Sequence, residues 1–211
     1  MNVLRTAHRH PRHSRHRRRT AGALLAACLA LAALPGAAQS ARYEIDPDHL
    51  SLGFLVTHLG YAKVLGQFRT ARGGYSFDEA TGTLGPVRIE VESASVTTQH
   101  NGRDRHVRGA DFLNAAGFPR MVFSAPGGKR TGERQFEIAG TLELLGRSQP
   151  LTLQARWNKS APSPLIKSSY VMGVSARGSL QRSAYGMDYG VANGWVGDEV
   201  ELIIEFEAIR Q

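Results

Sequence analysis

The fold class is decided by the stretch VELIIEFE, residues 200–207. Its side chains alternate with a period of two, with one face formed by Val200, Leu202, Ile204 and Phe206 and the other by Glu201, Glu205 and Glu207. Successive side chains of a strand point to opposite sides, so such a strand buries one face and wets the other. The stretch therefore predicts an antiparallel strand that covers an apolar interior.

The same alternation recurs along the chain, and it is clearest in residues 50–57, 87–92, 136–142 and 151–157. Many short strands with one wet face each favour an antiparallel barrel or a sandwich. We favour the barrel because closure removes the sheet edges, and about eight strands leave an interior that can hold side chains or one ligand. The predicted fold class is all-β, a single antiparallel eight-stranded barrel.

Glycine-containing segments between the alternating runs favour tight turns. These segments are residues 72–74, 80–82, 126–128 and 145–147, and residues 160–169, with two prolines, predict a longer loop. Residues 98–119 mix charged and small side chains and break the alternation. They predict a short helical segment that closes one end of the barrel.

Residues 1–40 have the composition of an export signal. The first 20 residues carry seven Arg, four His and no acidic residue, and residues 21–34 form an apolar run of mainly Ala and Leu. A basic region, a short apolar stretch and small residues are typical of a secretory signal peptide. We expect cleavage between Ala38 and Ala41, a mature domain of residues 41–211 and a periplasmic location. Arg17, Arg18 and Arg19 leave a twin-arginine export route open.

The formal charge of +8 comes from this leader. Seven of the 26 Lys and Arg residues lie there, which leaves 19 basic against 18 acidic residues in the mature domain. A nearly neutral domain lacks the basic surface that binds phosphate backbones, so the sequence predicts no nucleic-acid partner.

Cys28 is the single cysteine and lies within the apolar run. The mature domain therefore has no thiol for a disulfide, for catalysis or for a metal site. The segment Leu25-Ala26-Ala27-Cys28 leaves one alternative open, in which Cys28 is lipidated and tethers the protein to a membrane.

Several motifs, taken in order, resemble the YceI-like family of periplasmic proteins. They are YEID (43–46) with HLS (49–51), FLVTHLG (54–60), GQF (66–68), RDRH (103–106), ADFL (110–113), FP (118–119) with FS (123–124), GTL (140–142), PLTL (150–153) and GDEVEL (197–202). The resemblance covers residues 43–208. It implies a lipocalin-like barrel that binds polyisoprenoid-type lipids.

The inward faces of the predicted strands are almost wholly apolar, as a site for a long hydrocarbon requires. The candidate ligand-binding residues on these faces are Leu52, Phe54, Val56, Phe68, Phe77, Ile89, Val91, Phe123, Phe136, Ile138, Leu153, Trp157, Met172 and Val174. Phe112 joins them from the predicted helical segment. The alternative is that these side chains pack against one another as a filled core.

Four histidines, His49, His58, His100 and His106, raise the question of a metal site. Their spacings of 9, 42 and 6 residues match no local ligand motif, and the sequence predicts no metal and no cofactor. His58 shares a strand face with Val56, so we expect it to point inward near one barrel end.

Arg103, Asp104 and His106 are candidate ligand-binding residues with two interpretations. Arg and Asp on a short helix can pair with strand ends and close one mouth of the barrel. Alternatively, Arg and His are good donors to phosphate or quinone oxygens of a lipid head group.

The sequence shows no nucleophile elbow and no phosphate-binding glycine loop, so we predict a binding protein and not an enzyme. The expected partner is a long-chain apolar lipid, isoprenoid or quinone-type, held for transport or storage. A structural or stress-related interaction module is the alternative. Transient contact with the membrane or with respiratory proteins and a homodimer stay open.

Overall fold

The structure, a computed structural model, describes residues 40–166 and 168–211. Residues 1–39, which include most of the predicted signal peptide and Cys28, lie outside these residues. Within the described ranges, no helix is long and apolar enough to cross a membrane.

Strands dominate the described chain. They are β1 (Ala41–His58), β2 (Ala62–Phe68), β3 (Ala71–Asp78), β4 (Thr83–Glu92), β5 (Val96–Thr97), β6 (Arg120–Ala125), β7 (Lys129–Arg130), β8 (Gln135–Leu144), β9 (Arg147–Pro162), β10 (Tyr170–Gln181) and β11 (Val196–Arg210). One α-helix, α1 (Asn101–Arg108), follows β5, and short 3₁₀ turns cover Ser93–Ser95 and Arg182–Tyr185.

Eight of these strands form a closed antiparallel barrel, as the alternation predicted. The ring runs β1, β3, β4, β6, β8, β9, β10 and β11, and β11 pairs with β1 to close it. This last pairing extends from Tyr43–Arg210 to His58–Val196. The predicted fold class is therefore confirmed.

The longest strand, β1, pairs with β11 along one edge and with two strands, β3 and β2, along the opposite edge. Residues 41–44 pair with β3, and residues 52–58 pair with β2, which in turn pairs with β5. Between these halves the register with β11 shifts between Ile45 and Leu50. This bulge bends β1 and carries Asp46 and His49.

Antiparallel connections alternate between two ends of the barrel. One end, which we call the Glu79 end, carries the turns at residues 79–82, 126–134 and 163–169. The other, the helix end, carries the β1–β2 hairpin, α1 with residues 109–119, and residues 182–195. The helical segment predicted within residues 98–119 is thus a single eight-residue helix at one barrel end.

Two of the predicted connections differ from the structure. Residues 72–74 were expected to form a turn but lie inside β3, where Gly73 has φ +116° and the backbone passes close to the carbonyl of Arg88. These glycines permit close strand packing and do not reverse the chain. The loop expected at residues 160–169 is shorter, because β9 continues to Pro162 and pairs with Tyr170.

Gly74 provides a test of the β1–β3 pairing. A β-carbon at this position would overlap the backbone carbonyl oxygen of Tyr43, which cannot move without breaking the pairing. We expect Gly74→Ala to lower the free energy of unfolding by about 2 kcal/mol or more, measured by urea denaturation.

Gly173 is the matched control on β10. The nearest atom to a β-carbon there lies at 3.9 Å, which is ordinary contact. Gly173→Ala should therefore leave the stability unchanged or raise it slightly. Equal stability losses in the two variants would show that Gly74 is not a close-approach position.

Candidate ligand-binding site

The barrel interior contains a cavity of about 270 Å³. A single bound water needs only about 10–15 Å³, so this space is much larger than a packing defect. The inward side chains therefore leave part of the interior unfilled. The wall consists of apolar side chains from every barrel strand, and it includes two arginines, Arg156 and Arg182.

Most of the candidate residues from the sequence lie on the cavity wall. They are Leu52, Phe54, Val56, Phe68, Phe77, Ile89, Val91, Phe112, Phe123, Phe136, Ile138, Leu153, Trp157, Met172 and Val174. Their place on the wall follows from the period-two alternation. Whether each contacts a ligand stays a prediction.

Four candidate residues do not line the cavity: His58, Arg103, Asp104 and His106. His58 was expected to point inward, but it is exposed, because the register with β11 shifts after Val56 and the chain leaves the barrel in a hairpin. The next residue, Leu59, has a positive φ of 53°.

The structure also adds wall residues that were missed. Val200, Leu202, Ile204 and Phe206 come from β11, whose inward face the alternation had already marked. Tyr75 lies two positions before Phe77 on β3, so the same alternation could have found it. Leu113, Arg182 and Met187 come from irregular segments at the helix end and carry no periodic signal.

Aromatic rings fill the lumen towards the Glu79 end. The Phe77 ring meets Phe136 and Trp157 edge to face, with centroid distances of 5.7 and 5.3 Å. Tyr75 meets Phe206 at 6.3 Å. Such edge-to-face pairs stabilise a packed aromatic layer beyond their area burial. These five rings form the aromatic floor of the cavity.

The Glu79 carboxylate connects three strands at the barrel end next to the aromatic floor. Glu79, in the β3–β4 turn, accepts hydrogen bonds from the hydroxyls of Tyr43, Ser160 and Tyr170. The donors belong to β1, β9 and β10, so one side chain joins three strands across the end. Burial raises the pKa of Tyr43, and the hydrogen bond to Glu79 raises it further.

Arg103 and Asp104 fix helix α1 to the segment that precedes it. Asp104 is buried and accepts from the Thr98 backbone N–H at 2.6 Å, and Arg103 donates to the Thr98 hydroxyl and carbonyl at 2.7 Å each. These bonds match the structural interpretation, in which the pair closes one mouth of the barrel. A head-group role for Arg103 stays a prediction.

His106 lies in an aromatic cluster above the lumen. Its ring packs edge to face on Phe112 and on Tyr189, at centroid distances of 4.9 and 5.0 Å. Its Nε2 lies 2.9 Å from a carboxylate oxygen of Asp111. Since Phe112 lines the cavity, this cluster forms part of the cover at the helix end.

Arg182 is the deepest charged side chain of the wall, with 2% of its surface exposed. It donates to four backbone carbonyls, those of Met187, Tyr189, Val196 and Gly197. Burial lowers the pKa of its guanidinium, and Asp198 and Asp188 oppose that shift. The guanidinium ties the 182–196 segment together and has few donors left for a ligand.

A polar cluster that spacing did not predict sits at the β1 bulge. Three atoms that could ligate a metal, one each from Asp46, His49 and Glu207, lie within 4.8 Å of one another. His49 Nδ1 is 2.7 Å from Asp46, and this bond lowers the pKa of Asp46 and raises the pKa of His49. The hydrogen bond between Asp46 and His49 therefore spans the bulge and favours the charged form of both side chains.

The YceI-like domain matches residues 43–208. The chain is 36% identical to a UPF0312 protein of Azotobacter vinelandii over 178 residues, which cover 83% of this chain and 91% of that protein.

Two solved structures share the fold. A Campylobacter jejuni YceI protein superposes with a TM-score of 0.66 at 26% identity, over 74% of this chain and 90% of that one. A polyisoprenoid-binding domain from Saccharophagus degradans, implicated in plant cell wall breakdown, gives a TM-score of 0.60 at 14% identity, over 82% and 100% of the two chains.

The Asp104–Thr98 contact gives a prediction about the cover at the helix end. The hydrogen bonds that Asp104 accepts from Thr98 hold the pKa of this carboxyl below its ordinary value. A carboxyl with a lowered folded-state pKa stabilises the fold above its unfolded pKa and loses this contribution as pH falls through the folded pKa. We expect Asp104→Asn to lower the unfolding free energy by about 1–3 kcal/mol at neutral pH.

The difference in unfolding free energy between the unmodified protein and Asp104→Asn should become smaller as the pH falls below about 4. Thermal unfolding across pH 3–8 measures it, with Asp111→Asn, at an exposed carboxylate, as the control. A gap that does not change with pH would contradict a charged role for Asp104.

Proposed function

The chain belongs to the YceI-like family, and on this premise we propose that it holds a long apolar lipid inside its barrel and performs no chemistry on it. The expected ligand class is isoprenoid or quinone-type. The polyisoprenoid-binding domain of Saccharophagus degradans, which shares the fold, supports this class. The cavity and its apolar wall carry the proposal.

The energetics favour a hydrocarbon tail as the occupant. Each Å² of hydrocarbon surface removed from water contributes about 25 cal/mol, so a tail that is enclosed on all sides gains several kcal/mol without any polar recognition. An apolar wall also offers water few partners, and apolar cavities of this kind stay dry. Selectivity among tails of similar width should therefore be loose.

The wall supports binding better than catalysis. A reacting site needs a nucleophile or an acid–base pair within hydrogen-bond reach of the substrate. Among the described residues that line the cavity, the charged side chains are Arg156 and Arg182, and the latter donates to backbone carbonyls. Such a wall is better suited to enclosing a ligand than to reacting with it.

We further propose that the protein works in the periplasm, as a carrier or store. The leader composition of residues 1–40 supports export. A lipid tail in an aqueous compartment exposes hydrocarbon to water, and a closed barrel removes that cost. Transport and storage would use the same cavity and would differ only in the membrane or protein that donates the lipid and the one that receives it.

Lipid binding can be tested by filling the lumen. Leu202 lines the cavity on β11, and its neighbour Ile203 does not. Leu202→Trp adds bulk to the lumen, so we expect it to weaken binding of a fluorescent isoprenoid lipid by about tenfold or more. Ile203→Trp should bind as the unmodified protein does.

Native mass spectrometry of the gently purified protein gives a second readout. We expect a bound lipid in the unmodified protein and in Ile203→Trp, and less or none in Leu202→Trp. Absence of lipid from all three, together with no uptake of the added probe, would reject the lipid-binding proposal and favour an interaction module.

A further inference from the structure

Two loops at the helix end present apolar side chains to solvent. Leu59 and Tyr61 lie at the turn of the β1–β2 hairpin, and Trp195 lies just before β11; their exposed fractions are 46%, 89% and 51%. The Leu59 backbone N–H donates to the Trp195 carbonyl at 2.9 Å, so the two loops are in contact. They form one surface, residues 59–62 and 190–195, which we call the apolar tips.

The apolar tips contain no charged residue. Their sequences are LGYA and GVANGW. A β-carbon added at Gly60 or at Gly194 would meet no atom within 4 Å, so both turns project into open space. A projecting surface without charge loses little hydration energy when it enters an apolar medium. Contiguous exposed apolar surface of this kind marks an interaction site, whereas isolated apolar side chains do not.

Leu59 is unfavourable for the fold in two ways. Its φ is 53° and that of Gly60 is 73°, and the Tyr61 N–H donates to the His58 carbonyl, so both central residues of this turn are left-handed. Asn and Gly are preferred in such turns, and a leucine there is strained. Its apolar side chain also lies in solvent and not in the core. A strained, exposed leucine points to a contact outside the barrel.

The side chains of the apolar tips have the chemistry of a membrane interface. Trp and Tyr concentrate at the level of the lipid head groups, where the ring is buried and its polar atom meets water. The tips combine one of each, Tyr61 and Trp195, with the aliphatic Leu59. A protein partner would need a cavity shaped to receive two projecting loops, whereas a fluid bilayer adapts to them.

Helix α1 places positive charge beside the apolar tips. The ring of Tyr189, which directly precedes the second loop, packs on His106 of this helix at a centroid distance of 5.0 Å. The helix also carries Arg103, Arg105 and Arg108, and among the described residues none of these three forms an ion pair. An anionic bilayer surface attracts basic side chains of this kind.

The cover of the cavity lies next to the same surface. Phe112 lines the cavity, and its ring packs on Tyr189 at 5.3 Å. Val56 and Val200 also line the cavity, on the two strands from which the tips extend. A bilayer that contacts the tips therefore lies beside the helix end of the lumen.

We propose that the apolar tips dock the protein on a lipid bilayer, with Leu59, Tyr61 and Trp195 inserted at the level of the head groups and α1 against anionic head groups. The charged residues that flank the tips, Lys63 and Asp188, limit insertion to the turns. This inference goes beyond the proposed function, because it names a second partner and a surface outside the lumen.

Leu59→Asn separates docking from folding. Asn followed by Gly is preferred in turns of this geometry, so the free energy of unfolding in urea should stay equal or rise. Removing the leucine from the bilayer should weaken binding to vesicles of phosphatidylglycerol and phosphatidylcholine in equal parts about threefold or more, measured by co-sedimentation. Unchanged vesicle binding, or a loss of stability that reveals packing of Leu59 within the protein, would overturn the proposal.

Two exposed residues at opposite ends of the barrel make a matched pair. Tyr61 is 89% exposed in the apolar tips, and Leu165 is 88% exposed at the Glu79 end. We expect Tyr61→Asp to weaken vesicle binding about tenfold or more and Leu165→Asp to bind as the unmodified protein does. Equal losses in the two variants would contradict docking through the helix end.

The intrinsic fluorescence reports the orientation. Trp157 and Trp195 are the two tryptophans of the chain; Trp157 lines the lumen, and Trp195 is the exposed one. We expect vesicles to shift the emission to shorter wavelength, lipids brominated near the head group to quench it, and Trp195→Phe to abolish both effects.

The outcomes for docking and for lipid binding in the lumen are separable. Docking predicts that Tyr61→Asp keeps the affinity for a fluorescent isoprenoid lipid added in solution, because Tyr61 does not line the cavity. No binding of the unmodified protein to vesicles would overturn docking and leave lipid binding intact. A concentration-dependent dimer that Tyr61→Asp abolishes, without vesicle binding, would assign the surface to a second copy of the chain and overturn the proposal.

Discussion

The pairing of β1 with β11 is the constraint on which the rest of the structure depends. It joins the first and last strands, from Tyr43–Arg210 to His58–Val196, and turns a sheet with two edges into a cylinder. Without it, the inward faces of both strands would meet water. Closure by eight strands also fixes the width of the interior, which is large enough for side chains plus one narrow ligand. The cavity is thus a consequence of strand number and closure.

The two ends of the cylinder are closed by different chemistry. At the Glu79 end, one carboxylate holds hydroxyls from three strands outside a layer of aromatic rings. At the helix end, Asp104 anchors α1 and Arg182 gathers the 182–196 segment through backbone carbonyls. At both ends, charged side chains have neutral hydrogen-bond partners, which compensate for the hydration lost on folding. The polar groups are used to build the ends, and the space between them stays apolar.

Much of this architecture could be predicted because a strand repeats every two residues. The alternation along residues 200–207 and 50–57 identified the inward faces, and these faces supply most of the cavity wall. The two-residue alternation gives no information on glycines such as Gly73. This residue was predicted to lie in a turn, but it lies within β3 and permits close strand packing. The Arg182 and Glu79 contacts join residues far apart in the chain, so spacing could not reveal them. The Tyr75 hydroxyl and the Trp157 indole N–H are buried without a hydrogen-bond partner, which the sequence pattern likewise could not indicate.

The central claim is that a lipid tail occupies the apolar cavity of the barrel. A crystal structure of the protein, purified under native conditions without detergent, tests it most directly. The account predicts continuous tubular electron density between the aromatic floor and Val56, in contact with Leu202 and Val174. A lumen closed by its own collapsed side chains, or one filled with ordered water, would contradict it.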